Sequence, residues 1–342
     1  MRSLAVLLFL PLSLLPFVSA LPTAIDASPL PLLIWHGLGD RYDAKGLAQT
    51  AKLAQIVHPG TLVYNIRVDE DGSADRTATF LGNLTEQLDK VCKDISSNAS
   101  LNKTAGRVDA LGFSQGGQFL RGLVQRCDGL EVRSLVTFGS QHNGIAEFQV
   151  CGAWDLVCRG AVGLVKGNAW TKFIQNKVVP AQYYREVDPD TGLGSEAYLN
   201  NSNFLADVNN ERANKNDIYK KRIASLEKFV MYVFENDTTV IPKESGWFAE
   251  VNATTKRVTP LRERTMYEED WLGLKALYKK NGLVFRTAPD AHMELNDKVL
   301  SKAFREFFGP ERAVDVVFND KMRGIMTGIG KVQQRLWRYQ WR

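Results

Sequence analysis

The chain has 342 residues, 44% hydrophobic and 24% charged, which is typical of a soluble globular protein with one large domain or two small ones. Its formal net charge of +5 is carried by the two ends. Arg2 contributes one positive charge, and residues 311–342 hold seven Lys/Arg against three Asp/Glu. The body between the ends is neutral, which argues against a nucleic-acid-binding protein.

The first twenty residues have the pattern of a secretory signal peptide. Arg2 gives a positive start, residues 4–18 are nearly all apolar, and Val18-Ser19-Ala20 is a small-residue cleavage site. The apolar run is too short for a membrane anchor, and no other stretch is long and apolar enough to span a bilayer. We therefore predict a mature chain that begins at Leu21 or shortly after and enters the secretory pathway.

Sequons and cysteines agree with that compartment. Six N-x-S/T sequons are candidate glycosylation sites, at Asn83, Asn98, Asn102, Asn200, Asn236 and Asn252. The four cysteines are even in number, as disulfides require. Of the three pairings, Cys151–Cys158 closes the shortest loop, which leaves Cys92 with Cys127. A zinc site is the competing interpretation, but no C-x-x-C or nearby His pair supports it, so neither a metal nor a cofactor is predicted.

Strand-like and helix-like segments alternate along the body of the chain. The predicted strands are residues 30–35, 61–66, 107–111, 132–138, 229–234 and 282–286. The predicted helices are residues 44–57, 77–91, 115–127 and 297–308. Because the strands are apolar throughout, this alternation predicts an α/β fold with a mostly parallel sheet covered by helices on both faces.

Two segments do not follow this alternation. Residues 141–226 hold turns and aromatic residues without clear strands, which we interpret as a largely helical insertion over the carboxyl edge of the sheet, where ligands bind in such folds. Residues 311–342 carry an apolar stripe at alternating steps of three and four residues with basic residues between. That tail either docks on the body or frays, or it forms a basic helix on an anionic membrane or a partner.

The sequence Gly112-Phe113-Ser114-Gln115-Gly116 matches the G-x-S-x-G nucleophile elbow. A predicted strand precedes it and a predicted helix follows it, which is the context that the motif needs. The glycines are required because the turn is too sharp for side chains at the flanking positions. Ser114 is therefore the candidate nucleophile.

A serine nucleophile needs a histidine base that is oriented by a carboxylate. His292 lies just past the last strand, where the chain order Ser, Asp/Glu, His places the base. The other histidines fit less well: His36 lies in the loop after the first strand, His58 in a turn that we expect at the surface, and His142 too early in the chain. Asp237, on the loop after residues 229–234, is the candidate acid, and Glu235 and Asp290 are its rivals.

The oxyanion hole in such a fold uses the backbone N–H after the nucleophile and one from the loop after an early strand. These are the amides of Gln115 and of Leu38 in His36-Gly37-Leu38-Gly39. A plain strand-to-helix turn is the alternative interpretation of that glycine-rich loop.

These segments resemble the palmitoyl-protein thioesterases, lysosomal α/β-hydrolases that remove palmitate from proteins. The resemblance runs from about residue 30 to residue 309, and the segments that carry it are residues 35–40, 112–121, 125–127, 203–207, 236–237, 245–248 and the stretch around His292.

The resemblance implies Ser114, Asp237 and His292 as the catalytic triad, and the amides of Leu38 and Gln115 as oxyanion donors. It also implies that residues 141–226 help to form the acyl groove. The disulfides Cys92–Cys127 and Cys151–Cys158, and glycans at Asn200 and Asn236, match the family as well.

The chain departs from the family pattern in two places. The adjacent cysteines of the family are Arg41 and Tyr42 here, so that disulfide of the family is absent. Residues beyond about 310 have no counterpart in the family pattern.

We therefore predict a signal peptide (1–20), an α/β-hydrolase domain (21–310) and a basic tail (311–342). The expected reaction is hydrolysis of fatty-acyl thioesters on proteins or peptides, in a lysosome or vacuole or outside the cell. A secreted lipase or carboxylesterase and a catalytically inactive lipid-binding module are the alternatives.

Overall fold

The computed structural model describes residues 28–310, except for residues 105, 149–150, 152–154, 166 and 189. The predicted signal peptide and the predicted basic tail lie outside the described residues. Within the described part, no helix combines the length and the apolar character needed to cross a bilayer.

The centre of the fold is a parallel sheet of six strands. The strands of the described chain are β1 (Leu32–Trp35), β2 (Val63–Asn65), β3 (Arg107–Phe113), β4 (Glu131–Phe138), β5 (Lys228–Phe234), β6 (Glu250–Val251), β7 (Val258–Thr259) and β8 (Leu283–Ala288). The large sheet has the order β2-β1-β3-β4-β5-β8, and every neighbouring pair in it is parallel. The chain leaves β1 toward one edge and returns to β3 on its other side, so a crevice forms at the carboxyl ends of β1 and β3.

Helices cover both faces of this sheet. The helices of the described chain are α1 (Lys45–Val57), α2 (Gly72–Ala78), α3 (Leu84–Ser97), α4 (Gln115–Arg126), α5 (Leu156–Val165), α6 (Lys172–Lys177), α7 (Val179–Gln182), α8 (Glu196–Asn201), α9 (Leu205–Val208), α10 (Asp217–Ser225), α11 (Thr265–Glu268), α12 (Leu274–Lys279) and α13 (Asp297–Phe307). Three short 3₁₀ segments join them: Leu101–Thr104, Lys243–Trp247 and Leu261–Glu263.

The strand side chains alternate between two apolar layers, as the period of two in a strand requires. On one face, α1 and α13 bury Leu47 and Phe304 against Leu32 of β1. On the other face, α3 and α4 bury Leu88 and Leu123 in the layer that contains the next residue of β1, Leu33. This packing confirms the α/β fold that the sequence predicts.

The predicted helix over residues 77–91 is wrong, because the chain breaks there into α2 and α3. Gly82 has φ of +133°, which no side-chain-bearing residue adopts easily. The Asn83 side chain then accepts hydrogen bonds from the N–H groups of Thr85 and Glu86 and begins α3 as its N-cap. The sequence also did not indicate the antiparallel pair of β6 and β7, whose two-residue strands are too short to show a period.

Between β4 and β5, the residues that the structure describes form six short helices, α5 to α10, and add no strand to the large sheet. Two disulfides brace the helical layer. Cys92 of α3 is bonded to Cys127 at the end of α4, with 5.5 Å between their Cα atoms. Cys151 is bonded to Cys158 of α5, with a Cα–Cα distance of 5.8 Å. The two pairings that the sequence favours are therefore present.

Candidate active site

Ser114 lies at the tight turn between β3 and α4. Its φ of +50° and ψ of −123° lie outside the regions that residues with a side chain normally occupy. The turn is held because the Ser114 N–H donates to the Phe138 carbonyl at 2.7 Å. A Cβ on Gly112 would lie 2.5 Å from the amide nitrogen of Gly117, so the strand and the helix can pack this closely only with glycine at 112. Such strained positions cluster at functional sites.

His292 joins Ser114 to Asp237. Its Nε2 lies 3.0 Å from the Ser114 Oγ, and its Nδ1 lies 2.7 Å from the Asp237 Oδ2. A carboxylate can only accept, so Nδ1 carries the proton and the Nε2 lone pair faces the serine hydroxyl. The His292 side chain is 12% exposed and that of Asp237 is 1% exposed, so the Asp–His contact is shielded from water.

Asp237 is itself fixed from the backbone. Its Oδ1 accepts the N–H groups of Thr239 and Val240, each at 2.9 Å, so the carboxylate keeps its other oxygen toward the imidazole. The two rivals, Glu235 and Asp290, are exposed. In the described structure the carboxylate that binds the His292 ring is that of Asp237. The structure thus brings together the three side chains that chain order selects.

The other three histidines face different surroundings. His142 is buried against the rings of Phe229 and Phe248. Burial, with a smaller contribution from Arg121, lowers its pKa well below the usual value, so the imidazole stays neutral. His58 is half-buried and its Nε2 lies 2.9 Å from the Phe304 carbonyl oxygen, so the expectation of a surface residue is wrong.

His36 forms a buried pair that the sequence did not indicate. Its Nε2 lies 2.9 Å from the Oδ2 of Asp75 on α2, and both residues are almost fully buried. The same carboxylate accepts the N–H groups of Tyr42 at 2.9 Å and Val68 at 2.7 Å. Burial opposes the ionised form of Asp75, but the His36 hydrogen bond and charge outweigh it and lower the pKa of Asp75. The loop that lacks the adjacent cysteines is therefore held by hydrogen bonds to a buried carboxylate.

The two candidate oxyanion donors belong to the two backbone segments next to the nucleophile, the start of α4 and the loop after β1. Gln115 is the first residue of α4, where the helix leaves its N–H groups without partners in the helix and the helix dipole is positive. Gly37, just before Leu38, is so close that a Cβ on it would lie 3.1 Å from the Ser114 Cβ. Within the described residues, the N–H groups of Leu38 and Gln115 donate to no protein acceptor. Both are therefore free to bind an oxyanion formed at Ser114.

Two clefts meet at Ser114. The first, which we call the insertion cleft, is lined by Leu38 and Phe80 together with side chains that follow β4, namely Ile145, Phe148, Cys158, Val162, Pro180 and Tyr183. The second, which we call the α1 cleft, has a volume of about 480 Å³ and lies on the His292 side. Its walls are more mixed in character and include Gly46, Leu47, Thr50, Met293, Asp297 and Leu300. The insertion cleft, with a volume of about 30 Å³, thus gives an apolar group access to the nucleophile, and the α1 cleft has room for a larger, partly polar group.

Comparison with known sequences identifies a family of thioesterases. The sequence profile described as Palmitoyl protein thioesterase matches residues 31–292. Palmitoyl-protein thioesterase 1 of Caenorhabditis elegans is 33% identical, with 79% of this chain and 89% of that protein covered. The palmitoyl-protein thioesterase-dolichyl pyrophosphate phosphatase fusion 1 of Schizosaccharomyces pombe is 37% identical over 81% of this chain, and the match spans 44% of that protein's length.

A more distant relative is the human lysosomal thioesterase PPT2, which is 25% identical, with 82% of this chain and 86% of that protein covered. The family profile covers most of the described body, including the elbow and the histidine at its far end. The chain therefore belongs to the palmitoyl protein thioesterase family.

Proposed function

We propose that this protein is a serine hydrolase that removes long-chain fatty acyl groups, palmitate above all, from cysteine residues of proteins or peptides. The observation that carries the proposal is the hydrogen-bonded chain Ser114–His292–Asp237 at the mouth of an apolar cleft. Membership of the thioesterase family supports the choice of a thioester substrate. Geometry alone supports acyl transfer to serine and does not distinguish a thioester from an oxoester.

In the proposed mechanism, the Ser114 Oγ attacks the acyl carbonyl while His292 Nε2 takes its proton. Asp237 keeps the imidazole in the correct tautomer and stabilises the imidazolium that forms. The amides of Leu38 and Gln115 bind the tetrahedral oxyanion. The acyl chain enters the apolar insertion cleft, whose volume of about 30 Å³ must widen to take it, and the sulfur side of the substrate lies in the α1 cleft, next to His292.

Collapse of the tetrahedral intermediate breaks the C–S bond and leaves an acyl-enzyme on Ser114. A thiol has a pKa of about 8.5, so it leaves as a thiolate far more readily than an alkoxide leaves an ester. The thiolate takes up the proton that His292 holds, which returns the imidazole to its neutral form. Water that is activated by His292 then attacks the acyl-enzyme, and the fatty acid is released with Ser114 regenerated. No cofactor enters this scheme.

The decisive experiment uses one peptide in two forms, with palmitate on a cysteine or on a serine at the same position. We expect the thioester form to turn over faster, and Ser114→Ala to abolish hydrolysis of both. Preference for the oxoester would instead indicate a lipase or carboxylesterase. Palmitate binding without turnover of either substrate would indicate a lipid-binding module.

We also propose that the protein enters the secretory pathway and is delivered to a lysosome or vacuole, or is secreted. Both disulfides support an oxidising compartment. The signal-peptide pattern of residues 1–20 supports entry, and the name of the human relative supports a lysosomal destination. N-terminal sequencing of the protein from a secretory host should begin at Leu21 or shortly after, and a retained Met1 would contradict this.

For the tail, we propose peripheral contact with anionic membranes through residues 311–342, beyond a catalytic domain of residues 21–310 with its insertion at 141–226. The balance of seven basic and three acidic residues and the apolar stripe support it. Deleting 311–342 should abolish binding to anionic vesicles while hydrolysis of a soluble thioester persists. Unchanged vesicle binding would refute the proposal.

A further inference from the structure

The short helix α2 holds the loop that carries the oxyanion donor Leu38. Asp75 binds that loop at His36 and Tyr42, as described above. Two further side chains bind the loop at Gly39, namely Arg76 of α2 and Thr79, the C-cap residue of that helix. Three side chains of α2 and its C-cap thus hold the loop on both sides of Leu38.

Gly39, the residue after Leu38, is bound through both of its backbone groups. Its N–H donates to the Thr79 Oγ1 at 2.9 Å, and its carbonyl accepts from the Arg76 Nε at 2.9 Å. Gly39 has φ of +79°, a left-handed conformation that suits glycine. Because the peptide planes on either side of Gly39 are held, Leu38 is fixed from its carboxyl side, next to the peptide that carries its N–H.

The other end of the same guanidinium reaches the insertion. Arg76 Nη2 lies 2.8 Å from the Asp155 Oδ2. The second oxygen of Asp155 accepts the N–H of Cys158 at 3.0 Å, at the beginning of α5. Cys158 lines the insertion cleft, as does Phe80, whose ring centre lies 5.3 Å from the guanidinium carbon of Arg76.

An arginine is suited to this double contact because Nε and one Nη donate from the same edge of a planar fork. A lysine has one nitrogen and cannot replace both donors in that geometry. Arg76 is half-buried, so the link lies at the rim of the cleft and not in the core.

We propose that Arg76 is a positioning residue that ties the oxyanion donor Leu38 to the acyl-binding insertion through Gly39 and Asp155, an inference that rests on the acyl hydrolase function proposed above. A long acyl chain has to widen the cleft, whose volume is about 30 Å³ in this structure, and it then packs against Cys158 and orders the start of α5. Asp155 and Arg76 are then held in place, and so is the carbonyl of Gly39. A short acyl chain does not reach α5 and gains nothing from the link. Arg76 therefore makes the rate of acylation depend on chain length.

The experiment measures kcat and KM for palmitoyl and butyryl thioesters of one thiol. The variants are Arg76→Ala, Arg76→Lys, Asp155→Asn and the double variant Arg76→Ala/Asp155→Asn. We expect each single variant to lower the palmitoyl-to-butyryl ratio of kcat by about fivefold, a typical coupling between sites, with little change in KM. The double variant should have the ratio of Arg76→Ala alone, because both substitutions break one link.

Arg222 provides a matched control. It also donates to a backbone carbonyl, that of Gln125 at 3.1 Å, and pairs with the carboxylate of Asp128, on the part of the fold away from the clefts. Arg222→Ala should leave the chain-length ratio unchanged. A folded Arg76→Ala protein with the wild-type ratio, or additive effects in the double variant, would overturn the proposal. If Arg76→Ala does not fold, the palmitoyl-to-butyryl ratio of kcat is measured for Arg76→Lys and Asp155→Asn. A wild-type ratio in both would overturn the proposal.

If the proposed function is wrong, the wild-type protein itself turns over no palmitoyl thioester. This result differs from failure of the Arg76 proposal, in which the wild-type protein is active and the variants keep its chain-length ratio. The same ratio is then measured on palmitoyl and butyryl oxoesters, on which the oxyanion donor acts in the same way.

Discussion

Gly116 packs directly against the end of β1, so that a Cβ atom on it would lie 2.5 Å from the carbonyl oxygen of Trp35. Neither backbone can move without displacing Ser114 on one side or the His36 loop on the other. We expect Gly116→Ala to destabilise the fold by about 1–3 kcal/mol, as overpacking does. It should also lower kcat/KM more than 10-fold, because the nucleophile and the oxyanion loop shift apart. Thermal unfolding and thioester kinetics on the same preparation measure the two effects.

The control for this substitution is Gly160, an exposed glycine of α5 around which a Cβ would meet nothing within 4 Å. Gly160→Ala should raise stability by up to about 1 kcal/mol through helix propensity and leave kcat/KM unchanged. Equal behaviour of the two variants would show that contact with β1 is not what requires glycine at position 116.

Because His292 contacts both Ser114 and Asp237, substitutions in the triad should lower kcat in a non-additive way. Removing the nucleophile in Ser114→Ala should lower kcat by at least about 10⁴-fold, and Asp237→Asn should cost about 10⁴-fold by allowing the wrong tautomer. Because the three residues act as one unit, Ser114→Ala/His292→Ala should be no slower than Ser114→Ala. Pre-steady-state kinetics should show acyl-enzyme accumulation only in proteins that keep Ser114. A further loss in the double variant would mean that His292 acts independently of the serine.

Chain order and strand pattern were enough to place the three triad candidates on their loops. The segment before Asp237 is a continuous apolar run and the segment before Ser114 is mostly apolar, so the strands that carry them could be predicted, as could the strand before His292. The triad itself follows from knowing that parallel strands end at the same edge of the sheet.

The support around the oxyanion loop could not be predicted in this way. Asp75 lies 39 positions after His36, and its burial depends on how α2 packs, which no local pattern records. The prediction of one helix over residues 77–91 also missed α2 as a separate helix, because the Asn83 cap and the Gly82 conformation were not recognised. Arg76 and Asp155 are separated by 79 positions and contact each other only in the folded chain.

The sequons differ in the exposure and hydrogen bonding of their asparagine side chains. Asn200 and Asn236 are exposed, and neither side chain has a hydrogen bond to the rest of the described protein. The Asn83 side chain is engaged at both ends: its Oδ1 caps α3 and its Nδ2, the atom that would carry the glycan, donates to the Asn176 Oδ1 at 2.9 Å. We expect glycans at Asn200 and Asn236 and none at Asn83.

Endoglycosidase digestion of protein from a secretory host checks this pattern. Asn200→Gln and Asn236→Gln should each remove one glycan, whereas Asn83→Gln should leave the glycosylated mass unchanged. Loss of a glycan in Asn83→Gln would mean that the sequon is modified before the α3 cap forms.

A buried charge network that includes Arg185 and Glu211 of the insertion is the basis of the last prediction. Glu211 is fully surrounded, and both of its oxygens bind the Arg185 guanidinium, at 3.2 and 2.9 Å. Burial by itself would raise the pKa of Glu211, but the charges of Arg185 and Arg264 outweigh it and hold the pKa below the usual value. We expect Glu211→Gln to lower the free energy of unfolding by about 3–5 kcal/mol, because the buried guanidinium groups of Arg185 and Arg264 must then share the carboxylate of Glu250.

The pH dependence of that loss follows from the direction of the shift. A carboxylate whose pKa is lower in the folded protein contributes stability above its unfolded pKa, near 4.3 for Glu, and loses it as the pH falls through the folded value. The difference between wild type and Glu211→Gln should therefore be constant from neutral pH down to about 5.5 and shrink only below about 4. Denaturant unfolding at several pH values measures it. Glu306→Gln, which removes a half-exposed carboxylate 3.9 Å from Arg286, should cost less than about 1 kcal/mol at every pH. A loss at Glu211 that shrank already between pH 7 and 5.5 would show that burial, and not the arginines, controls its pKa.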